Sequence, residues 1–405
     1  MKVAVVIERY DISLGGAERL VFELVSALSR LGLDVQVLTA KANNSGANIH
    51  ALCGNYPGKR VPLVHFGKVL KQYLGTNHFD IVHSLIPLSF ADVYQPPNGT
   101  FVEAKIRHTG TYQSKLMALY KKATAFTNRR RAEALREEKK LCRNPNGPII
   151  AALSEYVKKQ FKVHYDLEDK RIVVIPDGVN TDRQIDPTVV EELRSRIFHS
   201  LAITQTNNKP TLILFGANNF RRKGLYVLIR ALELLSKSGT PNLPYLIVIG
   251  NDRHHKYLRL AKTLRIENRI LFLGFLSDIQ NVITLSDVAV LPTFYDPSSR
   301  FILEALAFGK PVITTRFNGA TDSFVNNRHG KVINRPDDAA ELAQAIVHFM
   351  NPENVQKASQ AILADNLKQK VSINRVAGQL VSLYESILQK KGQHPCMQCT
   401  SPQLS

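Results

Sequence analysis

Residues 291–312 read Leu291-Pro292-Thr293-Phe294-Tyr295-Asp296-Pro297-Ser298-Ser299-Arg300-Phe301-Ile302-Leu303-Glu304-Ala305-Leu306-Ala307-Phe308-Gly309-Lys310-Pro311-Val312. An apolar run from Val288 to Leu291 has the pattern of a buried strand and ends at Pro292. The Asp, Pro and paired Ser residues that follow are turn chemistry, and the spacing predicts a helix beginning near Phe301 with Glu304 in its first turn. Val312 to Thr314 then resumes a buried strand, so the stretch is a strand–turn–helix–strand unit of the kind that builds a parallel sheet. The N–H groups that open such a helix have no partner within it and can hold an anion.

The same alternation extends to both sides. In the second half, strands are expected at Leu212 to Phe215, Leu246 to Ile249 and Ile270 to Leu273, with helical spacing between them, as from Leu225 to Leu235. In the first half, strands are expected at Lys2 to Ile7, Val35 to Thr39, Asp80 to His83, Pro148 to Leu153 and Arg171 to Pro176, with a helix over Gly16 to Leu31. The turn Pro176-Asp177-Gly178 and the poorly periodic residues up to Pro210 separate the halves, which sets the boundary near 180. The expected division is 1–180, with a basic insertion at 105–143, then 181–370, a closing helix over 371–389 and a disordered polar tail over 390–405. Two α/β units in tandem would meet at the carboxyl ends of their strands, where open parallel sheets bind ligands.

Composition narrows the class. At 405 residues the chain exceeds one ordinary core, and 44% apolar with 21% charged residues is the balance of a soluble globular protein rather than a disordered or fibrous one. No apolar run reaches the roughly 20 residues that span a bilayer, and Met1 to Ile7 reads as a strand rather than a leader. Cys53 and Cys142 are isolated, which fits a reducing cytoplasm; Cys396 and Cys399 have metal-ligand or redox spacing but lie in a polar tail with no second pair and no adjacent βαβ pattern. Lys and Arg number 53 against 34 Asp and Glu, and this excess favours phosphorylated or membrane-surface partners.

Three segments carry chemistry. Gly15-Gly16-Ala17-Glu18-Arg19 follows the first strand and opens the first helix, a place where backbone N–H groups approach phosphate. Phe220-Arg221-Arg222-Lys223-Gly224 follows the first strand of the second half, where adjacent cations can neutralise charge growing on a departing diphosphate without a metal. Asp296 and Glu304 stand eight apart across a loop and helix start, so both can face one pocket. A carboxylate buried within Phe301-Ile302-Leu303-Glu304-Ala305-Leu306-Ala307 is costly unless something binds it, and a ligand hydroxyl would.

Asp296 to Glu304 with the following Ala307-Phe308-Gly309-Lys310-Pro311-Val312 resembles the E-x7-E signature of the family 4 retaining glycosyltransferases, with Asp296 where the first Glu usually stands. Gly15-Gly16-Ala17-Glu18-Arg19, Ile175-Pro176-Asp177-Gly178-Val179 and Arg222-Lys223-Gly224 are similar to that family's glycine loop, inter-domain turn and diphosphate pair, in the right order. The resemblance covers about residues 1–385 and is greatest to the bacterial enzymes that glucosylate the lipopolysaccharide core. It implies an α/β GT-B fold, two Rossmann-like doubly wound parallel-sheet domains facing across a cleft, and a metal-independent hexosyltransferase with no cofactor beyond its donor.

By the same resemblance the donor is a nucleotide diphosphate sugar, a UDP-sugar ahead of GDP- or ADP-sugars, and the acceptor a glycolipid or glycan of the cell envelope. Arg222 and Lys223 would hold the diphosphate, Glu304 the ribose, and the backbone of Ser299, Arg300, Phe301, Ile302 and Leu303 the sugar and phosphate. Asp296 would meet the transferred sugar, Gly274, Phe275 and Leu276 the base, and Gly15 and Gly16 the donor's edge. Arg19, Gln95 and Asn98 are the acceptor-side candidates, because Tyr94 to Thr100 holds no His where many members have one; His83 reads as a core residue, and no general base is assigned.

Residues 105–143 hold twelve Lys and Arg against three Glu. Lys115, Lys121, Lys122, Arg129, Arg130 and Arg131 with interleaved Leu116, Met117, Leu119 and Tyr120 have the composition of an interfacial helix on an anionic membrane, at the cytoplasmic face of the cell membrane. A solvated insertion is the plainer reading of the same run. Nucleic acid is the less favoured partner because no binding motif accompanies the charge. The rival functions are a nucleotide-sugar epimerase on the same fold and a non-catalytic sugar-nucleotide-binding protein; a nicotinamide dehydrogenase lacks its glycine fingerprint.

Overall fold

The computed structural model describes residues 1–11, 16–43, 46–58, 60–112, 116, 119, 129–203 and 210–393. The first half forms a seven-stranded sheet of β1 (Lys2–Tyr10), β2 (Asp34–Ala42), β3 (Ile49–Ala51), β4 (Ile81–Ser84), β5 (Val93–Tyr94), β6 (Ile149–Ala152) and β7 (Ile172–Val174), in the order β3-β2-β1-β4-β5-β6-β7. The second half forms a six-stranded sheet of β8 (Leu212–Gly216), β9 (Tyr245–Ile249), β10 (Ile270–Gly274), β11 (Val288–Leu291), β12 (Val312–Thr315) and β13 (Gly330–Ile333), in the order β10-β9-β8-β11-β12-β13.

Neighbouring strands in both sheets run parallel, and helices cover both faces, which is why Val3 to Ile7 and Leu212 to Phe215 are almost unbroken apolar runs. Strand order reverses between β1 and β4 and again between β8 and β11, and a crevice opens beyond the strand ends at each reversal. The two Rossmann-like sheets are those of a GT-B fold.

Strands β3, β5 and β13 were not foreseen in the sequence. Each has two to four residues, too few for a period-two pattern, and exists because a neighbouring strand supplies a ladder to join. The helical sequence from Ala339 onward is four helices, Ala339–Met350, Pro352–Ala364, Leu367–Lys370 and Ile373–Gln393. Asn351 caps the second through the Glu353 N–H, and Pro352 sits in its first turn, where a missing N–H costs nothing.

The last helix lays Val376, Ala377, Leu380 and Tyr384 into the first sheet's core with Val5, Leu24 and Leu28. It continues to Gln393, so residues 390–393, expected as tail, are helical. Cys396, Cys399, Gly15, Lys115, Lys121 and Lys122 lie outside the described residues, whereas Cys53 and Cys142 are free and buried.

Candidate active site

The turn after β8 is pressed against the loop after β11. Gly224 has φ +81°, and a Cβ there would lie 2.0 Å from the Pro292 carbonyl oxygen, so no other residue lets the two segments meet this closely. The Phe294 N–H donates to the Arg222 carbonyl at 2.9 Å and fixes the register. This contact delivers the Lys223 ammonium to the Asp296 carboxylate, with 13% and 10% of their side chains exposed. Burial pushes the Lys223 amine down to about 8 against the pull of Asp296, and the Arg222 charge adds to the depression. Arg222 turns its side chain into the cleft, its Nε buried and without a partner.

A second charge cluster surrounds Glu304. Arg300 opens the helix Arg300–Ala307, so Glu304 falls in the second turn, a correction to the first-turn placement. Glu304 lies 4.0 Å from Arg300. Burial raises its carboxyl above the usual range, while Arg300 and Arg19 pull the other way. The Arg300 guanidinium donates to Glu23 at 2.6 Å and to the Gly178 carbonyl at 2.8 Å, so this side chain ties the second sheet's helix to the first helix, Gly16–Arg30, and to the inter-domain turn.

Arg19 and Arg183 also reach Glu23, each at 3.3 Å. Arg19 therefore belongs to the charge cluster around Glu23 and Glu304. Asp177 links the clusters: it is buried with Oδ1 unpartnered and is pushed up to about 7 by burial and Asp296, against Arg300.

The backbone around the helix start divides. The Ser299 N–H donates to Asn318 Oδ1 at 3.2 Å, so it is not available to a donor phosphate, contrary to expectation. The Leu303 N–H returns to the Ser299 carbonyl at 3.1 Å, which leaves those of Arg300, Phe301 and Ile302 as the first-turn donors. The side chains of Phe301, Ile302 and Leu303 belong to the second sheet's core. Gly274 ends β10 with φ +74°; Phe275 follows with its ring 60% exposed, and Leu276 packs on the core. Gly16 opens the first helix.

On the side of the first sheet a cavity of about 440 Å³ lies between the halves, lined by Glu8, Arg9, Arg60, Asn98, Arg130 and Arg131 and faced by Arg222 and Tyr295. Asn98 thus lines the cleft. Gln95 does not: it is 1% exposed and its side chain turns to His83. His83 is fully buried, bonded through Nδ1 to the Tyr384 hydroxyl and pushed by burial down to about 4, so it is a neutral core group. Arg130, paired with Glu8, and Arg131 line the cavity, while Arg129 and Arg130 are also exposed. Little in the sequence singles out Glu8, Arg9, Arg60 or Glu23, and Asp177 is marked there only as a turn residue. The one available signal was a charged pair, Glu8-Arg9, closing the apolar strand Val3 to Ile7.

The halves touch directly around this cavity. The Tyr295 hydroxyl lies 2.9 Å from the Asn98 carbonyl, Ser154 Oγ donates to the Pro297 carbonyl at 2.9 Å, and the Arg221 guanidinium lies 4.0 Å from the centre of the Tyr112 ring. The arrangement places three cationic side chains and a helix start against a carboxylate-bearing loop, a geometry suited to a phosphorylated ligand.

Comparison with known proteins agrees. Residues 14–183 match the family described as Glycosyltransferase Family 4, and residues 199–367 the family described as Glycosyl transferases group 1. The lipopolysaccharide glucosyltransferase WaaG of Escherichia coli strain K12 is 27% identical over 186 residues, which are 46% of this chain and 48% of that protein. The putative glycosyltransferase EpsD of Bacillus subtilis strain 168 is 28% identical over 45% of this chain and 46% of its own length, so the match spans about half the length of these relatives. The crystal structure of a WaaG involved in lipopolysaccharide biosynthesis superposes with a TM-score of 0.73 at 20% identity, covering 94% of this chain and 99% of that one. Anabaena HepE, solved in complex with UDP, gives a TM-score of 0.68 at 17% identity over 95% and 100% of the two chains.

Proposed function

The chain belongs to the family 4 glycosyltransferases of the GT-B fold, and from that premise we propose that it moves a glucose-like hexose from UDP-sugar to a cell-envelope glycan with retention of configuration. The observation that carries this reading is the clamp of the Arg222-Lys223-Gly224 turn on the loop from Pro292 to Glu304; in this reading both cations and the first-turn N–H groups serve one diphosphate. HepE was solved with UDP and with UDP-glucose, and WaaG is named as a glucosyltransferase, which supports the choice of donor.

In this reading Arg222 and Lys223 hold the diphosphate, and Glu304 accepts from the ribose. The 300–302 N–H groups face phosphate, Asp296 meets the sugar, and Phe275 with Gly274 and Leu276 flanks the base. The acceptor hydroxyl oxygen bonds to the anomeric carbon on the face from which the diphosphate leaves. Its proton passes to the departing phosphate oxygen, so no enzymic base is required and none is assigned. Charge growing on that oxygen is met by preorganised cations, work that other transferases give to a metal. Lys223 has to leave Asp296 to do this, so donor binding exchanges one carboxylate partner for a phosphate.

The protein docks at the cytoplasmic face of an anionic membrane in the same reading. Leu116 and Leu119, 80% and 65% exposed within the basic stretch, support it. No helix of the described residues is long and apolar enough to cross a bilayer.

The test is a transfer assay with UDP-, GDP- and ADP-sugars and deacylated lipopolysaccharide core as acceptor, run with and without EDTA. The anomeric configuration of the product is then read by NMR. The reading expects one UDP-hexose to be consumed in EDTA with an axial product linkage; an equatorial product, or consumption without acceptor that yields an epimer, overturns it.

A further inference from the structure

Arg9 closes β1, Arg60 stands before the helix Leu63–Thr76, and Arg130 and Arg131 lie in the first turn of the helix Arg129–Arg143. Three separate elements thus send four guanidinium groups to one cavity. Among the described residues, two carboxylates line it, Glu8 and Glu18. Glu8 engages Arg130 through Oε2, while its Oε1 is buried without a partner.

The like charges strain one another: Arg130 first, then burial and Arg9, draw the Arg60 guanidinium below its ordinary value. A concave site lined by one sign of charge focuses its field on an incoming ion, and planar guanidinium forks match the oxygens of a phosphoryl group. In the transferase reading the donor diphosphate is held by Arg222 and Lys223 on the opposite wall, so Arg9 and Arg60 face the space open to the other substrate.

We infer that this cavity takes an acceptor bearing a phosphoryl group, held by Arg9 and Arg60, while Glu8 Oε1 accepts from a hydroxyl of the neighbouring sugar. The inference rests on the transferase reading and adds the acceptor's chemical class to it. The phosphoryl group has two sources: an ester on a sugar ring, or the diphosphate of a lipid-linked sugar.

The experiment titrates the full chain with deacylated lipopolysaccharide core oligosaccharide before and after phosphatase treatment, with geranyl diphosphate, and separately with UDP. An Arg9→Gln, Arg60→Gln double variant, checked for its native circular dichroism and melting temperature, is taken through the same series. Loss of a charge-assisted contact predicts about tenfold or more weaker binding of the oligosaccharide after phosphatase treatment. The variant binds treated and untreated oligosaccharide alike. If the source is a lipid diphosphate, geranyl diphosphate binds the wild type and not the variant, whatever phosphatase does. Phosphatase-insensitive oligosaccharide binding together with geranyl diphosphate binding that is absent or unchanged in the variant overturns the inference. Failure of UDP to bind sinks the transferase reading instead, and the two failures are read from different titrations.

Discussion

Lys223 sits in a buried position whose cost is only partly offset by Asp296, and this sets a pH limit on the free enzyme. Its charged form, the one that binds phosphate, persists below the depressed value of about 8 and is lost as pH rises through it, so kcat/KM for the donor falls above about 8. A profile flat from 7 to 10 would contradict that role for Lys223. Replacing Arg222 or Lys223 with Ala is expected to lower turnover by about 3 kcal/mol of transition-state stabilisation, a hundredfold or more, as for the loss of one preorganised oxyanion donor. Steady-state kinetics at saturating donor check it. These residues were legible because cations after one strand and carboxylates in an apolar helix are out of place in a pure core. Glu23 was not, since nothing in Leu20 to Leu24 tells that Phe22 faces solvent and Glu23 faces Arg300.

At the scale of an element, the helix Arg129–Arg143 shows how far composition misleads. Its run of charge reads as one solvated or lipid-facing surface, yet Ala134, Glu138, Leu141 and Cys142 form a buried stripe and Arg130 and Arg131 a cavity wall. Glu138 is 0% exposed and accepts from the Tyr94 and Tyr165 hydroxyls and the Phe101 N–H, joining this helix to the loop that carries Asn98. Burial outweighs those bonds and pushes its carboxyl up to about 7. A carboxyl raised on folding gives stability that is complete below its unfolded pKa and is lost as pH climbs to the folded one. Wild type is therefore expected to lose about 3 kcal/mol relative to Glu138→Gln between roughly pH 4.5 and 7, at 1.4 kcal/mol per unit. Urea unfolding of both proteins at several pH values measures the difference, and parallel curves would contradict it. The periodicity that gave the long strands and the helix Leu225–Lys237 had no purchase here, because a single buried carboxylate among Glu137, Lys139 and Lys140 leaves no mark in the sequence.

For the molecule as a whole, two parallel sheets were legible from repeated apolar runs, but the way they close on each other was not, since closure depends on pairs distant in sequence. Arg300 with Glu23 and the Gly178 carbonyl, and Tyr295 with Asn98, hold the halves together around the cavity. Breaking a buried ion pair by removing one partner costs about 3 kcal/mol or more, so Arg300→Met is expected to lower stability by that order and to enlarge the radius of gyration seen in solution scattering. An unchanged radius and melting temperature would show that the bridge does not hold the closure. The proposed transfer depends most on Lys223 and Glu304 serving one nucleotide between the sheets. Its most direct test is calorimetric titration of UDP into the wild type, Lys223→Ala and Glu304→Ala. The account predicts saturable one-to-one binding that weakens about tenfold or more in each variant, as the loss of a charge-assisted contact implies. Binding equally tight in all three, or none in the wild type, would contradict it.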